Sequence, residues 1–370
     1  MRYLFALLLA APLLGCSSGS DDPAPGNDVP TPPPSAPPAP VSAVFVLGDS
    51  LSDVGNAAAI ADNLLGVSVV PPTVGLCNPA DVIVVPRPCD DLFYRKNRVS
   101  DGPVAVEQLA SYFQLPELAP SLHVLPRRPA AGTNYAVAGA TARGSGPGDL
   151  ARQVDAVLID HPRLAPDALY VLMIGGNDAL DALKTAAAGD ANSIAAGEAI
   201  VTAAVAAIGT HVERLLDFGA RRLVVANVPD LASLPGVRAR ARAAPDEAAV
   251  LAVATSLADT FDRALDTRLD QIDAKRQWSA PTPPVLTRFD LRAALDATEL
   301  AIEAGGGNAT EACFASDLYR HSPNAERVFD SDCAPEAAGP PRFARFMFWD
   351  DIHPTGAAHA LIGAAIIEAL

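Results

Sequence analysis

Short apolar runs alternate along the chain with longer stretches whose apolar residues recur at helical spacing. Ala43 to Leu47 is a continuous apolar run ended by Gly48, the pattern of a strand buried on both faces of a parallel sheet. Four further runs read as strands. Thr133 to Ala138 ends at Gly139, Ala168 to Ile174 at Gly175-Gly176-Asn177-Asp178, Arg222 to Ala226 at Asn227-Val228-Pro229-Asp230, and Pro284 to Phe289 at Asp290. Between them, Pro103 to Phe113 and Asp149 to Ile159 carry a helical period. Ala191 to Phe218 and Asp246 to Gln277 predict long Ala-rich helices, and Thr355 to Leu370, behind Pro354, predicts a last one. Alternation of this kind predicts an α/β fold with a mostly parallel sheet and right-handed crossovers. Residues 62–100 and 304–345 fit no regular element, and loops of that length in a compact domain are functional or disordered.

The N-terminus departs from this pattern. Arg2 followed by the apolar stretch Leu4 to Leu14 reads as an export signal, too short for a lasting membrane span. It ends in Leu13-Leu14-Gly15-Cys16, which resembles a bacterial lipoprotein signal, with Cys16 as the diacylated first residue of the mature chain. A plain secretory signal is the alternative. Ser17 is compatible with transfer to an outer membrane. Residues 17–42 are Ser, Gly, Asp, Ala and above all Pro, the composition of an extended spacer. The expected organisation is therefore a signal at 1–15, a lipidated Cys16 and linker at 16–42, and one folded domain at 43–370.

Charge narrows the class of partner. The 370 residues carry a net charge of −16 with no basic cluster, which argues against nucleic-acid binding. Besides Cys16 there are four cysteines, Cys77, Cys89, Cys313 and Cys333. An even number in an exported chain suggests two disulfides. Three pairings are open; the local one, Cys77–Cys89 with Cys313–Cys333, closes two short loops and is the expectation.

Chemistry gathers at the strand ends. Asp49, Ser50, Ser52 and Asp53 crowd the turn after the first strand, Gly139 ends the second, and Asn177 follows the third. Ends of parallel strands share one edge of the sheet, where ligands bind. Ser50 there is a candidate nucleophile; the plainer possibility is that Ser50 or Ser52 caps the next helix. Near the C-terminus, Asp350 stands three residues before His353 in Trp349-Asp350-Asp351-Ile352-His353-Pro354. That spacing in a tight turn brings a carboxylate to Nδ1 and leaves Nε2 free to take a proton.

Taken together, four blocks resemble the SGNH hydrolases, the GDSL esterase/lipase family. They are Gly48-Asp49-Ser50-Leu51-Ser52-Asp53, Asn134-Tyr135-Ala136-Val137-Ala138-Gly139-Ala140, Gly175-Gly176-Asn177-Asp178 and Asp350-Asp351-Ile352-His353. The resemblance implies a three-layer α/β/α sandwich with about five mostly parallel strands. It also implies Ser50, His353 and Asp350 as catalytic triad, with the Ser50 and Gly139 N–H groups and the Asn177 amide as oxyanion donors. Ser52 stands where a Gly-x-Ser-x-Gly elbow has its second glycine, as the GDSL pattern requires.

The remaining polar residues read more plainly. Asp351 and Asp178 read as solvated or structural, and Asp53 and Asn56 as shaping the turn. His123, His161, His211 and His321 stand singly. His359 lies six residues after His353, not the spacing of a ligand pair, so no metal or other cofactor is expected. Phe93, Tyr94 and Asn97, ahead of Arg98-Val99-Ser100-Asp101-Gly102, either line an acyl pocket or pack a loop. The expected function is hydrolysis of carboxylic esters, as an esterase or lipase, by an exported enzyme anchored through Cys16 to a membrane, the outer one by its Ser17. A phospholipase or lipid acyltransferase with the same triad is the alternative, and a non-catalytic binding lipoprotein a more distant one. The sequence leaves the natural ester, the acyl length and the oligomeric state open.

Overall fold

The computed structural model describes residues 40–65, 97–123, 131–276, 284–313 and 342–370. The expected signal, Cys16 and nearly all of the expected linker lie outside the described residues, as do Cys77, Cys89, Cys333, His321, Phe93 and Tyr94. In chain order the elements are β1 (Val44–Gly48), α1 (Asn56–Leu65), α2 (Glu107–Tyr112), α3 (Leu150–Asp160), β2 (Leu169–Met173), α4 (Gly176–Thr185), α5 (Ala191–Asp217), β3 (Arg222–Ala226), α6 (Pro235–Arg242), α7 (Glu247–Arg276), β4 (Val285–Phe289), α8 (Leu291–Ala304), β5 (Asn308–Ala312), β6 (Phe346–Phe348) and α9 (Gly356–Glu368). Several helix starts are set by side-chain caps. Asp190, Asp290 and Thr355 accept backbone N–H bonds from the first turns of α5, α8 and α9.

The central sheet is parallel, in the order β1-β2-β3-β4. Val46 pairs with Val171, Val171 with Val224, and Val224 with Thr287. β1 and β2 are buried along their whole length, which is why they read as unbroken apolar runs. Each such side chain stabilises the fold by roughly 1.5–3 kcal/mol on burial. The expected strand at Thr133 to Ala138 is corrected to two isolated bridges of Asn134, with Val46 and with Pro120. It still bonds β1, through Val46 N–H to Thr133 O, Tyr135 N–H to Val46 O and Val137 N–H to Gly48 O. On its other side the backbone of Asn134 bonds Ala119 and Ser121, but beyond it side chains displace the ladder: Asn134 Oδ1 accepts the Ala136 N–H, and Asp53 takes the Ala138 N–H. With this edge segment counted, the spatial order of the five runs is second, first, third, fourth, fifth.

Right-handed crossovers then fix the layers. Steps from the edge segment to β2, from β2 to β3 and from β3 to β4 all run one way, carrying α3, α5 and α7 to one face, where α5 packs against α3, α4 and α7. The step from β1 to the edge segment runs the other way, and α2 packs with α9, which also meets α8. This is an α/β/α sandwich, and Pro40–Leu370 forms one compact unit. Two loop expectations are corrected. Residues 62–65 belong to α1, and within 304–345 lies β5, paired in parallel with β6.

Candidate active site

The end of β1 is held from two sides. A Cβ on Gly48 would lie 2.4 Å from the Met173 carbonyl oxygen, so the approach of β1 to β2 requires glycine there. Gln153, buried on α3, accepts the Gly48 N–H at 2.8 Å and donates to the Gly48 and Gly148 carbonyls, both at 2.7 Å. Removing that amide would orphan a buried N–H, at a cost of roughly 1–3 kcal/mol. The chain then turns on Asp49, whose carbonyl accepts the Ser52 and Asp53 N–H groups and whose Oδ1 accepts that of Leu51. The Ser50 N–H has no acceptor among the described residues.

Asp53, rather than either serine, closes this turn. Its carboxylate accepts the N–H groups of Gly55, Asn56 and Ala57 at 2.7–3.0 Å, and that of Ala138 at 2.8 Å. Asn56 donates to the Asn134 and Ala136 carbonyls, and Asn134 returns a bond to the Ser52 carbonyl. The first two blocks are thus one buried hydrogen-bonded unit. Gly139, at φ +82°, lies just beyond it, in the region that favours glycine. Its N–H also lacks an acceptor among the described residues. Asp178 is structural and fully buried, not solvated: its carboxylate takes the Ala142 N–H at 2.7 Å and pairs with Arg143, pinning the chain after Gly139.

Asn177 sits in the first turn of α4 and donates one Nδ2 hydrogen to the Ala140 carbonyl at 2.8 Å. An amide nitrogen carries two hydrogens, so one remains. Asn177 lines a cleft with Asp49, Ser50, Leu234, Ile352 and His353 among others. Gly139 lines the adjoining cleft, which shares Asn177, Leu180 and Ile352 with the first.

His353 arrives from the far end of the chain. After β6, the loop closes on itself by Trp349 N–H to His353 O at 2.7 Å. Asp350 Oδ1 accepts the Ile352 and His353 N–H groups at 2.9 and 2.8 Å, which turns the carboxylate back onto the ring. His353 Nδ1 lies 2.8 Å from both Asp350 oxygens, and Nε2 lies 2.8 Å from Ser50 Oγ. The exit of the loop is braced by the segment that follows Asn97: Ser100 donates to the Pro354 carbonyl at 3.0 Å, and Asp101 accepts the Gly356 N–H at 2.7 Å. Asp351 faces the second cleft, not the His353 ring, and its carbonyl holds Gly236 at the start of α6.

Burial opposes the charged form of His353, but the Asp350 carboxylate outweighs it, with help from Asp49 and Asp351, and holds the ring above its usual 6.5. Asp49, buried in the same cleft, is pushed up to about 7 by desolvation, against the Leu51 N–H and His353. Ser52 is wholly buried, and among the described residues its Oγ has no partner. The other histidines have surroundings that spacing did not show. His123 pairs with Asp160, His161 sets its edge on the Phe45 ring, and His211 lies beside Arg214. His359 is buried, with Nδ1 near the Ala105 N–H. Cys313 is buried and disulfide-bonded. Among the described residues no group of three or more His, Cys, Asp or Glu is placed to hold a metal.

Comparison with known proteins bears on this geometry. Residues 44–366 match the family described as GDSL-like Lipase/Acylhydrolase. The chain is also 26% identical over 203 residues, 53% of its length, to the Inactive GDSL esterase/lipase-like protein 25 of Arabidopsis thaliana, and spans 43% of that relative.

Proposed function

The chain belongs to the GDSL-like lipase/acylhydrolase family, and we propose that it is itself an active serine hydrolase of carboxylic esters. The observation that carries this reading is the unbroken hydrogen-bonded line from Ser50 Oγ through His353 to Asp350. In this reading Ser50 Oγ attacks the ester carbonyl while Nε2 takes its proton. The carbonyl oxygen becomes an oxyanion, held by the unpartnered Ser50 and Gly139 N–H groups and the second Asn177 hydrogen, each donor worth roughly 3 kcal/mol. The C–O bond then breaks, His353 returns the proton to the leaving alcohol, and water, activated by the same histidine, releases the acid. The relative's name calls that protein inactive; this chain keeps nucleophile, base and carboxylate in contact. A panel of p-nitrophenyl esters and phospholipids tests the reading. Turnover restricted to phospholipid, or transfer to an alcohol in preference to water, would move it to phospholipase or acyltransferase. Failure on every ester would favour a non-catalytic binding protein.

Protonation gives a second check. His353 must be neutral to accept the Ser50 proton, so kcat/KM should rise with pH through a midpoint above 6.5. Asp49 titrates in the same range and favours the charged ring, so the two behave as a coupled pair. Asp49→Asn keeps an acceptor for Leu51 but removes the charge. The midpoint should fall and the limb should sharpen to a single group. A pH–rate profile with the midpoint unchanged or raised contradicts this.

The anchor and the disulfide pairing rest on sequence. We place a diacylated Cys16 at the mature N-terminus and an exported domain on the outer membrane; two chains give the stable attachment that one would not. Palmitate labelling should mark the wild type and not Cys16→Ser, and absence of label from both would sink the anchor. Non-reducing peptide mapping should join Cys77 to Cys89 and Cys313 to Cys333; a link between the two loops would replace that pairing.

A further inference from the structure

The cleft that adjoins the Ser50 cleft at Asn177, Leu180 and Ile352 is a groove built on two helix faces. Asn177, Leu180, Asp181 and Lys184 line it at helical spacing, so one face of α4 forms a wall. Val237 and Arg240 bring in α6. The start of α6 is tied to the catalytic loop: Gly236 donates its N–H to the Asp351 carbonyl at 2.9 Å, and a Cβ on Gly236 would lie 2.9 Å from that of Asp351. Gly139 also lines the groove. Gly139 and Asn177 are oxyanion donors in the mechanism above, so an ester whose carbonyl oxygen they hold borders the groove.

The two clefts differ in size and chemistry. The Ser50 cleft holds about 50 Å³, room for a few non-hydrogen atoms, between apolar walls that include Leu51, Pro229 and Leu231. The groove holds about 300 Å³, enough for a ring with its substituents. Its charges are balanced, Asp181 and Asp351 against Lys184 and Arg240. Asp181 gives Oδ2 to Arg143 at 2.8 Å, while Oδ1 meets only Lys184 Nζ among the described residues, at 3.6 Å and beyond a hydrogen bond. The Lys184 side chain is 70% exposed. An acceptor and a donor with capacity to spare are thus neighbours on one helix face. At about 1.5 Å of rise per residue, Asp181 and Lys184 stand about 6 and about 10 Å along α4 from Asn177. An anion in the groove would meet two aspartates, in a chain of net charge −16, and a cation would meet the lysine and the arginine. A hydroxyl both accepts and donates, and so matches groups of either sign.

We propose that this groove binds a neutral polyhydroxylated group, a sugar or polyol, joined through the scissile ester to a chain of a few carbons in the Ser50 cleft. The proposal rests on the reading of Ser50 as nucleophile. Asp181 accepts from one hydroxyl and Lys184 donates to another. A plain ring in the groove strips water from both charges and returns no hydrogen bond, which is how sites built around such bonds reject analogues that lack them.

The test compares acetyl esters that differ in the alcohol: methyl glucoside 6-acetate, cyclohexylmethyl acetate, acetylcholine and acetylglycerol phosphate. Methyl quinate and methyl cyclohexanecarboxylate place the same contrast on the acid side. In one series or the other, the wild type should favour the polyol over the plain ring by about tenfold in kcat/KM, the size of one hydrogen bond to a charged group. Lys184→Met and Asp181→Leu should each bring that ratio toward one, mainly through KM. Asp181→Asn, which keeps an acceptor oxygen, should restore part of it. Should Asp181→Leu not fold, Lys184→Met decides. A wild-type ratio near one in both series overturns the proposal. So does a preference for either charged ester over the glucoside, or a ratio that survives both substitutions. Turnover of p-nitrophenyl acetate, with saturation-transfer NMR of methyl glucoside on Ser50→Ala, separates the two readings. Glucoside binding that Lys184→Met weakens, without turnover of any ester by the wild type, keeps the groove and removes the esterase. Turnover without polyol preference does the reverse, and neither binding nor turnover overturns both.

Discussion

Ser50→Ala should abolish ester turnover, with kcat falling by roughly 10⁵–10⁶-fold, the loss seen when a serine nucleophile is removed from an intact triad. The geometry makes the residue choice sharp. Ser50 Oγ lies 2.8 Å from His353 Nε2 and lines the cleft. Ser52, two residues on, is wholly buried, and its hydroxyl meets no partner among the described residues. Ser52→Ala should therefore keep most of the activity. The oxyanion donors survive in Ser50→Ala, since the Ser50 N–H belongs to the backbone, so a small residue of catalysis over water is expected. The turn is carried by Asp49 and Asp53, so the variant should melt close to the wild type. Steady-state rates with a p-nitrophenyl ester, alongside a thermal melt, read both. Near-wild-type turnover in a folded Ser50→Ala would remove the covalent mechanism altogether.

Why Ser50 and His353 were legible while their supports were not follows from the range of the contacts. β1, β2 and β3 announce themselves as short apolar runs, and β1 and β2 are followed by polar residues, Asp49, Ser50 and Asn177, that line the cleft. Local signals also reported Asp350 and His353, three residues apart within one turn. The edge segment misread as a strand has a strand's apolar pattern. What breaks its ladder is Asn134 bonding the Ala136 N–H and Asp53 reaching Ala138, the latter from 85 residues away. Gln153 is a mid-helix glutamine whose partner Gly48 lies 105 residues off, and nothing near it marks it as buried. Ser100 and Asp101 brace a loop more than 250 residues away. α6 was missed because Pro235-Gly236 opens it and its arginines hide the apolar period. α4 begins inside the Gly-Gly-Asn-Asp stretch that reads as a turn.

Asp350→Asn is expected to cost about 10⁴-fold in kcat, and Asp351→Asn little. The substitution isolates a tautomer. Asp350 Oδ1 accepts the Ile352 and His353 N–H groups, and an asparagine oxygen can keep both, so the loop retains its shape. The NH2 group then faces His353 Nδ1 where a carboxylate oxygen had been, at 2.8 Å. Nδ1 now meets a donor beside the remaining oxygen, which favours Nδ1 as acceptor and so the ring proton on Nε2, facing Ser50. In that state the histidine cannot take the serine proton. The imidazolium also loses the carboxylate that holds its pKa above the usual histidine value, so the acid limb of any residual activity should shift downward. Burial of the pair beside Trp349, 1% exposed, keeps water from substituting for the lost charge. Asp351 acts on His353 as the last and smallest of the three carboxylate charges, behind Asp350 and Asp49, and its carbonyl accepts the Gly236 N–H. Single-turnover and saturating-substrate rates on the two variants decide the assignment. A larger loss in Asp351→Asn than in Asp350→Asn would transfer the supporting role to Asp351.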